Sequence, residues 1–433
     1  MAYECIIIGG GLAGLTCGIK CRREGLRTAI ISSGASSLHF SSGSIDLYGY
    51  TPDKTPVVRP LDHIATMQGL NPEHPYAKIG VDMVKEAIDF FKAEAGMGDV
   101  TLHGNGDGNH FHVTGIGTLK PTFLSQGSVF NERIKAAWEN RTPIAILNFE
   151  GYRDYYAEIA AEQLKKQPLF AETPITIGSI RLPYYTKTEK NLHEFRSIDL
   201  SRVFDTEKYL PRVAGEINAI AGKAGIVCLP AFIGIRNFET IHRRLEEMTG
   251  RIIYEVPSLP PSIMGMRIDN ALKTRFAELG GEFSIGDTVS GGEIISGTLD
   301  HIHTRSFGNT RHHADFFVLA TGSFFSNGLR SEFNRIDEPI LNLTVNAPQK
   351  RKDWYAESFF EPGSHPFLEY GVKTDENLSP VDAEGNPVSN LFCAGAILGG
   401  YNPIREGSGG GVAIASGYHA ALRIIRMRSE GRK

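Results

Sequence analysis

Apolar runs and glycine clusters divide this chain into elements. Residues 3–8 (Tyr-Glu-Cys-Ile-Ile-Ile) are too apolar to alternate between two faces, which predicts a short strand buried on both sides. Gly9-Gly10-Gly11-Leu12-Ala13-Gly14 follows, then a helical stretch to about Glu24, with Gly25 where a helix C-cap belongs. Residues 26–32 predict a second strand, so roughly the first thirty residues spell β-α-β. Pro52, Pro56, Pro60, Pro72 and Pro75 mark 51–75 as an irregular excursion, and 99–118, rich in Gly, Asn and His, predicts a loop. A second α/β set is predicted over about 143–260. Its strands fall near 144–149, 175–182, 226–233 and 252–256, its helices near 154–166 and 238–249, and Pro257, Pro260 and Pro261 close it.

Ile268, Leu272, Phe276 and Leu279 then recur at helical spacing, and Gly280-Gly281 stop the helix they define. Residues 283–312 predict a small antiparallel meander, and Asp315–Ala320 an apolar strand. The stretch 330–370 shows no clear period. The chain finishes with a strand at Asn390–Ala394, a glycine-rich turn at Gly407–Gly411, and a helix striped by Ala415, Tyr418, Leu422 and Ile425. No repeat or low-complexity tract occurs.

Composition narrows the class. A hydrophobic share of 41 % and a charged share of 22 % are ordinary for a globular protein and exclude a disordered or collagen-like chain. At about 150 residues per domain, 433 residues predict two to three units, one of them assembled from separated segments. Forty-five basic against forty-nine acidic residues, with no long basic stretch, argue against a nucleic-acid partner. Cys5, Cys17, Cys21, Cys228 and Cys393 make no Cys-x-x-Cys pair. That argues against an iron–sulfur cluster or zinc ribbon built by this chain alone and favours a reducing compartment. Cys17 and Cys21 fall on the buried face of the first predicted helix. Met1-Ala2-Tyr3-Glu4 lacks the basic start of a signal peptide, and no run of about 18 apolar residues exists. The expectation is a cytoplasmic chain with no direct membrane span.

The strongest chemical signal is Gly9-x-Gly11-x-x-Gly14 between strand and helix. Gly9 permits the tight turn, Gly11 lets a phosphate approach the backbone, and Gly14 lets helix and strand pack closely. Helix-start amides and the macrodipole then favour a phosphate, which makes Gly9, Gly10, Gly11, Leu12, Ala13 and Gly14 candidate cofactor contacts. One piece is missing. The second strand ends in Ser32-Ser33-Gly34-Ala35, where an acid normally binds the adenosine ribose. Ser33 is a weak substitute, so the adenosine half is loosely held or absent.

Phe316-Phe317-Val318-Leu319-Ala320-Thr321-Gly322 resembles the Ala-Thr-Gly turn of flavoproteins of the two-dinucleotide-binding-domain type. In that type, a strand like Asn390–Ala394 and its turn precede a last helix whose N-terminus faces the flavin pyrimidine edge. The resemblance implies contacts from Ala320, Thr321, Gly322, Gly395, Ala396, Gly410, Gly411 and Val412. Ser37-Leu38-His39-Phe40-Ser41-Ser42-Gly43-Ser44 resembles the flavin-lining segment of the fumarate reductase and succinate dehydrogenase flavoprotein group, implying contacts from Ser41, Ser42 and Gly43. Some members of that group attach flavin through a histidine. Leu38 occupies the slot and His39 lies one further on, which implies a non-covalent flavin.

The fold class implied is α/β, a Rossmann-like flavin-binding domain of that flavoprotein type with an inserted α/β domain. The flavin-binding segments are placed at 1–48, 262–328 and 371–433. An inserted cap or interaction region is placed at 49–261, and a cap-like insertion at 329–370.

Five strings, Gly9–Leu15, Ser37–Leu47, Leu259–Arg267, Ala320–Ser326 and Leu398–Ile404, are similar nearly end to end to one family, the B subunit of the anaerobic glycerol-3-phosphate dehydrogenase. The resemblance implies an FMN flavoprotein, with FAD the alternative. It also implies two further subunits in the complex, one FAD-bearing and one carrying iron–sulfur centres, the latter tying the assembly to the inner membrane. The implied reaction oxidises sn-glycerol 3-phosphate to dihydroxyacetone phosphate and reduces a quinone. FMN suits the missing ribose acid, whereas a full Gly-x-Gly-x-x-Gly loop is more at home with a dinucleotide.

Arg405 and Arg267 are the natural clamps for a phosphorylated or carboxylate substrate, with Arg196 a weaker third, and His39 completes the catalytic candidates. No His–Asp pair stands out as a general base, which suits an electron-passing component. His301, His303, His312 and His313 cluster near Asp315, but alternation puts His301 and His303 on an exposed face, and no metal site is expected there or at His103, His110 and His112. Arg423, Arg426, Arg428, Arg432 and Lys433 suit a helix C-terminus. Two other readings compete: a self-contained soluble flavin oxidoreductase of fumarate-reductase type, and a non-catalytic, flavin-stabilised scaffold.

Overall fold

The computed structural model describes residues 3–181, 191–382 and 384–431, so Arg432 and Lys433 of the basic tail lie outside the described residues. In chain order the longer strands are β1 (Tyr3–Ile8), β2 (Thr28–Ser32), β3 (Ile144–Phe149), β4 (Ile175–Ile180), β5 (Ile226–Pro230), β6 (Ile252–Val256), β7 (Glu282–Ile285), β8 (Val289–Ile295), β9 (Thr298–Thr304), β10 (His312–Leu319) and β11 (Leu391–Cys393). The longer helices are α1 (Leu12–Arg23), α2 (Val81–Met97), α3 (Ala157–Lys165), α4 (Leu210–Ala221), α5 (Phe238–Thr249), α6 (Ile263–Glu278) and α7 (Gly409–Ser429). Backbone contacts divide the chain into two units, Met1–Ser37, Asp46–Gly98 and Leu272–Lys433 in one, Leu38–Ile45 and Asp99–Ala271 in the other.

The first unit is built on a seven-stranded sheet in the order β7-β2-β1-β10-β9-β8, with β11 also paired to β10. The pairs β7–β2, β2–β1, β1–β10 and β10–β11 are parallel, and β10–β9–β8 form an antiparallel meander. Cys5 to Ile8 are buried, as an apolar central strand requires. Register aligns Ile8 with Ile31 and with Leu319, and Leu319 with Cys393. The turns after these four strands therefore leave the sheet at one edge, where open α/β sheets bind ligands.

Helices α1 and α7 pack closely because a glycine sits at their crossing: a Cβ on Gly417 would lie 2.3 Å from the Ala13 carbonyl oxygen. Helix α2 joins this unit through the Glu94 carboxylate, which takes Arg23 Nη1 at 2.5 Å and Arg275 Nε at 2.8 Å. Residues 46–98 thus group with the flavin-type sheet, which moves the expected boundary at 49 to the end of α2. Within the proline-rich excursion, Pro60 opens a short helix, Pro60–Ala65, a position where its missing N–H costs nothing. Residues 329–370 also group with this unit; Trp354 is buried and its indole N–H donates to the Pro348 carbonyl at 2.7 Å. Residues 282–285 are a parallel edge strand rather than part of the meander. On α7 the expected stripe holds at Ala415 and Tyr418, then shifts to Ala421 and Ile424.

The second unit carries a four-stranded parallel sheet in the order β6-β5-β3-β4. Phe149, Phe204, Phe232, Trp138, Phe170 and Tyr254 fill its core in edge-to-face and tilted pairs. Residues predicted as loop over 99–118 include the strand His110–Val113, paired antiparallel with Leu119–Thr122. The segment 38–45 groups here and not with 1–37, because Gly43 lies against Met264: a Cβ there would be 2.2 Å from the Met264 Cβ.

Replacing Gly417 by Ala sets two effects against each other. Alanine gains about 1 kcal/mol of helix propensity, but its methyl meets backbone atoms that cannot swing away. Overpacking of about 1–3 kcal/mol wins. A urea melt should show a lower midpoint with an unchanged slope; an equal or higher midpoint would show that α1 and α7 separate freely.

Candidate functional site

Backbone geometry at the common sheet edge explains the glycines. Gly9 has φ +117°, and a Cβ on it would lie 2.1 Å from the Ala320 carbonyl oxygen, so the turn after β1 is pressed against the turn after β10. A Cβ on Gly14 would lie 2.0 Å from the Gly9 carbonyl oxygen, which fixes the first turn of α1 against the strand end. Ala320 N donates to Ile8 O at 2.8 Å and Ala394 N to Leu319 O at 3.0 Å, stitching successive turns together. At Gly395 (φ +78°) a Cβ would meet Ala13 Cβ at 2.9 Å and Ala413 Cβ at 3.9 Å, so the first turns of α1 and α7 come together around this glycine. Gly411 fits beneath Tyr76 and Leu47, and its N–H donates to Asp46 O at 2.8 Å.

Residues 9–14, 320–322, 395 and 411–412, separated by hundreds of positions in sequence, thus converge on one edge. Neither α1 nor α7 has a side-chain cap or an acid in its first turn, though the N-cap Ser408 hydroxyl of α7 donates to the Glu406 carboxylate at 2.8 Å. Gly11 opens the cradle: a Cβ there would find only Ser36 Cβ, at 3.9 Å. The Thr321 hydroxyl is buried without a hydrogen-bond partner at the same edge. An open glycine turn, the uncapped start of α1 and an orphaned hydroxyl suit a flavin with its phosphate on α1. Gly10, by contrast, is filled space, since a Cβ would overlap the Phe283 ring and Ser32. Ala396 and Gly410 are half-buried beside these turns, and Ser33 is exposed just past β2.

The segment 38–45 is held by its own network in the second unit. Ser41 Oγ donates to Leu38 O at 2.8 Å and accepts from Gly43 N at 3.2 Å, and the Ser42 hydroxyl accepts from Ser44 N at 3.4 Å. Ser44 Oγ lies 3.1 Å from His112 Nδ1 and 3.0 Å from Ser125 Oγ, which in turn lies 2.9 Å from His110 Nε2. Burial lowers His110 to about 3 and pushes His112 well down, so both rings are neutral and serve as fixed hydrogen-bonding groups.

Of the three catalytic candidates, Arg267 is reassigned. It is 1 % exposed, and every N–H of its guanidinium is used. Nε donates to Gly234 O, Nη1 to Gln126 Oε1 and Glu255 Oε2, Nη2 to Ile233 O and Glu255 Oε1, and Phe238 lies under the plane. No donor is left for a substrate; Arg267 ties β6 to the loop after β5. Burial alone would raise the Glu255 carboxyl, but the Arg267 charge and hydrogen bonds and the Ile233 amide hold it below the usual range.

Arg405 is different. Nη1 reaches Gly363 O at 3.3 Å and Nη2 reaches Pro52 O at 2.7 Å, while Nε has no partner, and among the described residues no carboxylate pairs with it. Its charge is uncompensated by a counter-ion, two residues before the left-handed Gly407 that leads into α7. His39 Nε2 lies 3.1 Å from the buried Asp269 Oδ2. This His–Asp pair is invisible in the sequence, because its members stand 230 positions apart. Arg196 is exposed at the start of the helix Ser197–Val203.

A family model described as FAD binding domain matches residues 4–412, which makes the chain a flavoprotein of that class. The B subunit of anaerobic glycerol-3-phosphate dehydrogenase from Aliivibrio fischeri is 40 % identical over 99 % of this chain and 96 % of the relative, and that from Vibrio cholerae is 37 % identical over 98 % and 97 %. The chain belongs to this family, the B subunits of anaerobic glycerol-3-phosphate dehydrogenase. Among solved structures, 3-ketosteroid delta1-dehydrogenase from Sterolibacterium denitrificans aligns with a TM-score of 0.45 at 10 % identity, over 98 % of this chain and 99 % of that one.

The Arg267–Glu255 pair makes a test with a sign. Arg267→Met leaves a buried carboxylate unpaired and should cost about 3–5 kcal/mol. In the parent, the lowered Glu255 pKa adds stability above the unfolded value of 4.5 that is lost as pH falls through the folded value. In the variant, burial alone raises that pKa, so this contribution is lost as pH rises instead. Urea melts between pH 4 and 8 read the difference; parallel pH profiles for the two proteins would contradict the assignment.

Proposed function

We propose that this chain is the flavin-carrying component of a multi-subunit glycerol-3-phosphate dehydrogenase that converts sn-glycerol 3-phosphate to dihydroxyacetone phosphate. Electrons leave for a quinone by way of an iron–sulfur partner. The carrying observation is the convergence of two uncapped helix N-termini and the Ala320–Gly322 turn on one sheet edge. Among the described residues no helix is long and apolar enough to cross a membrane, so in this reading attachment to a membrane belongs to a partner.

A bound flavin would accept an electron pair from the substrate carbon and release electrons one at a time. The chain's own groups do the rest. The amides at the start of α1, with Gly11 leaving room, hold the flavin phosphate. The positive end of α7 faces the part of the site where negative charge accumulates on reduction, and lowers its energy. Arg405, free of carboxylate partners, binds the substrate phosphate by charge-assisted hydrogen bonds. Within the second unit, Asp269 orients the His39 ring through Nε2 and leaves Nδ1 as a proton-accepting candidate. FMN is the flavin we infer, because β2 ends without a carboxylate for an adenosine ribose; FAD is the alternative.

The test uses the purified chain and the complex. Heat should release a flavin that co-migrates with FMN, without covalent remainder. Under anaerobic conditions glycerol 3-phosphate should bleach the flavin absorbance of this chain, alone or once the FAD-bearing partner is added. No bleaching in either case would overturn the assignment and favour a scaffold. In the complex, Arg405→Gln should raise KM with little effect on kcat, and an unchanged KM would remove Arg405 from the substrate site.

A further inference from the structure

The antiparallel meander carries chemistry that the flavin reading does not use. His301 and His303 stand two apart on β9 and lean together, with their Nε2 atoms 3.0 Å apart. His301 is 1 % exposed, not on an open face as alternation predicts. Its Nδ1 lies 2.8 Å from the Asp300 carboxylate, and His303 Nδ1 lies 3.4 Å from the Thr310 carbonyl oxygen, a long contact. Both outer neighbours only accept hydrogen bonds, which favours a proton on Nδ1 firmly in His301 and, over the longer contact, weakly in His303. The two Nε2 atoms face each other at 3.0 Å, a spacing that suits either one N–H···N hydrogen bond or a cation shared by both lone pairs.

Other groups face the same place. Glu293 is the cross-strand partner of His301, and its Oε2 lies 3.9 Å from His301 Nε2. Gly291 stands opposite His303, and a Cβ on it would find only the Ile340 carbonyl oxygen, at 3.9 Å, so space remains for further ligands. His313, across the ladder on β10, donates from Nδ1 to Asp300 O at 3.0 Å, and together with His301 it fixes the Asp300 backbone and carboxylate. Asp300 and Thr310 thus occupy the outer positions from which oxygen acceptors orient metal-binding imidazoles.

We propose that His301 Nε2 and His303 Nε2 form a binding site for a late first-row divalent metal ion, completed by water, with the Glu293 carboxylate, 3.9 Å from His301 Nε2, adding negative charge beside it. Two nitrogens about 2.1 Å from one ion are about 3.0 Å apart at a right angle and about 3.4 Å apart at the tetrahedral angle. The observed spacing matches the right-angled case, so the geometry fits a six-coordinate imidazole-binding ion such as Ni²⁺ best. The ion bridges two side chains of β9, in the meander that leads into β10.

Calorimetric titration of Ni²⁺, and separately Zn²⁺, into untagged, chelator-treated full-length protein tests the site. One equivalent of Ni²⁺ should bind, at least tenfold more weakly after His303→Ala, a half-buried position whose loss leaves the core intact. Asp300→Asn should weaken binding about 10–100-fold, as loss of an orienting partner does. Saturating Ni²⁺ should raise the melting temperature of the parent and not of His303→Ala. Saturable binding of neither ion, or equal binding by His303→Ala, overturns the site and leaves a shared proton between the rings. The readouts are independent of flavin content and of substrate turnover.

Discussion

The rest of the first unit depends on one close approach, the backbone of Gly9 against the carbonyl of Ala320. At 2.1 Å there is no room for a Cβ, and φ +117° is closed to other residues in any case. The approach follows from register: Ile8 and Leu319 end their strands side by side, so the turns after them must share space. Once that contact is made, Gly14 can bring α1 down onto Gly9, Gly395 can sit between Ala13 and Ala413, and Gly417 can cross Ala13. Each glycine removes a methyl where two backbones meet.

The buried charges divide along the same logic of complete and incomplete pairing. Arg267 and Glu255 saturate each other in the interior of the second unit, and Glu94 is bracketed by Arg23 and Arg275 in the first. Such groups are held because leaving one member alone costs several kcal/mol. Arg405 belongs to another kind. Its donors meet neutral carbonyls, which orient a guanidinium without cancelling its charge. Among the described residues no carboxylate pairs with Arg405, and that contrast separates the two arginines more sharply than their sequence context does.

What the sequence discloses follows from the range over which each signal acts. The β-α-β opening, the parallel strands of the second unit and helix α7 depend on local periodicity and local glycine, and their positions are readable within a few residues. The strand Glu282–Ile285 has the same local look as the meander beside it. Only its pairing to β2, some 250 positions away, makes it a parallel edge. Gly43 and Arg267 are similarly opaque. Each has a partner far off in the chain, Met264 in one case and Glu255, Gln126 and the 233–234 carbonyls in the other, and no pattern of hydrophobicity encodes it. The His39–Asp269 pair is hidden for the same reason, while Ser44, Ser125 and His110 form a chain that no spacing rule anticipates.

The identity of the flavin turns on what lies at the two ends of the nucleotide position. At the phosphate end the edge is complete: an open Gly11, unmasked helix amides and an unpaired Thr321 hydroxyl. At the end where an adenosine ribose would lie, Ser32 turns its hydroxyl back onto the Gly34 carbonyl at 3.0 Å, and Ser33 is exposed. A ribose diol there would exchange water for a single hydroxyl, gaining little, whereas an acid accepting two hydrogen bonds would gain charge-assisted ones. The glycine loop therefore accounts for a phosphate, while the end of β2 supplies no acid for a ribose. Gly9 and Gly14 are required by backbone packing whichever flavin is bound, so the loop that usually signals a dinucleotide does not by itself choose between one nucleotide and two.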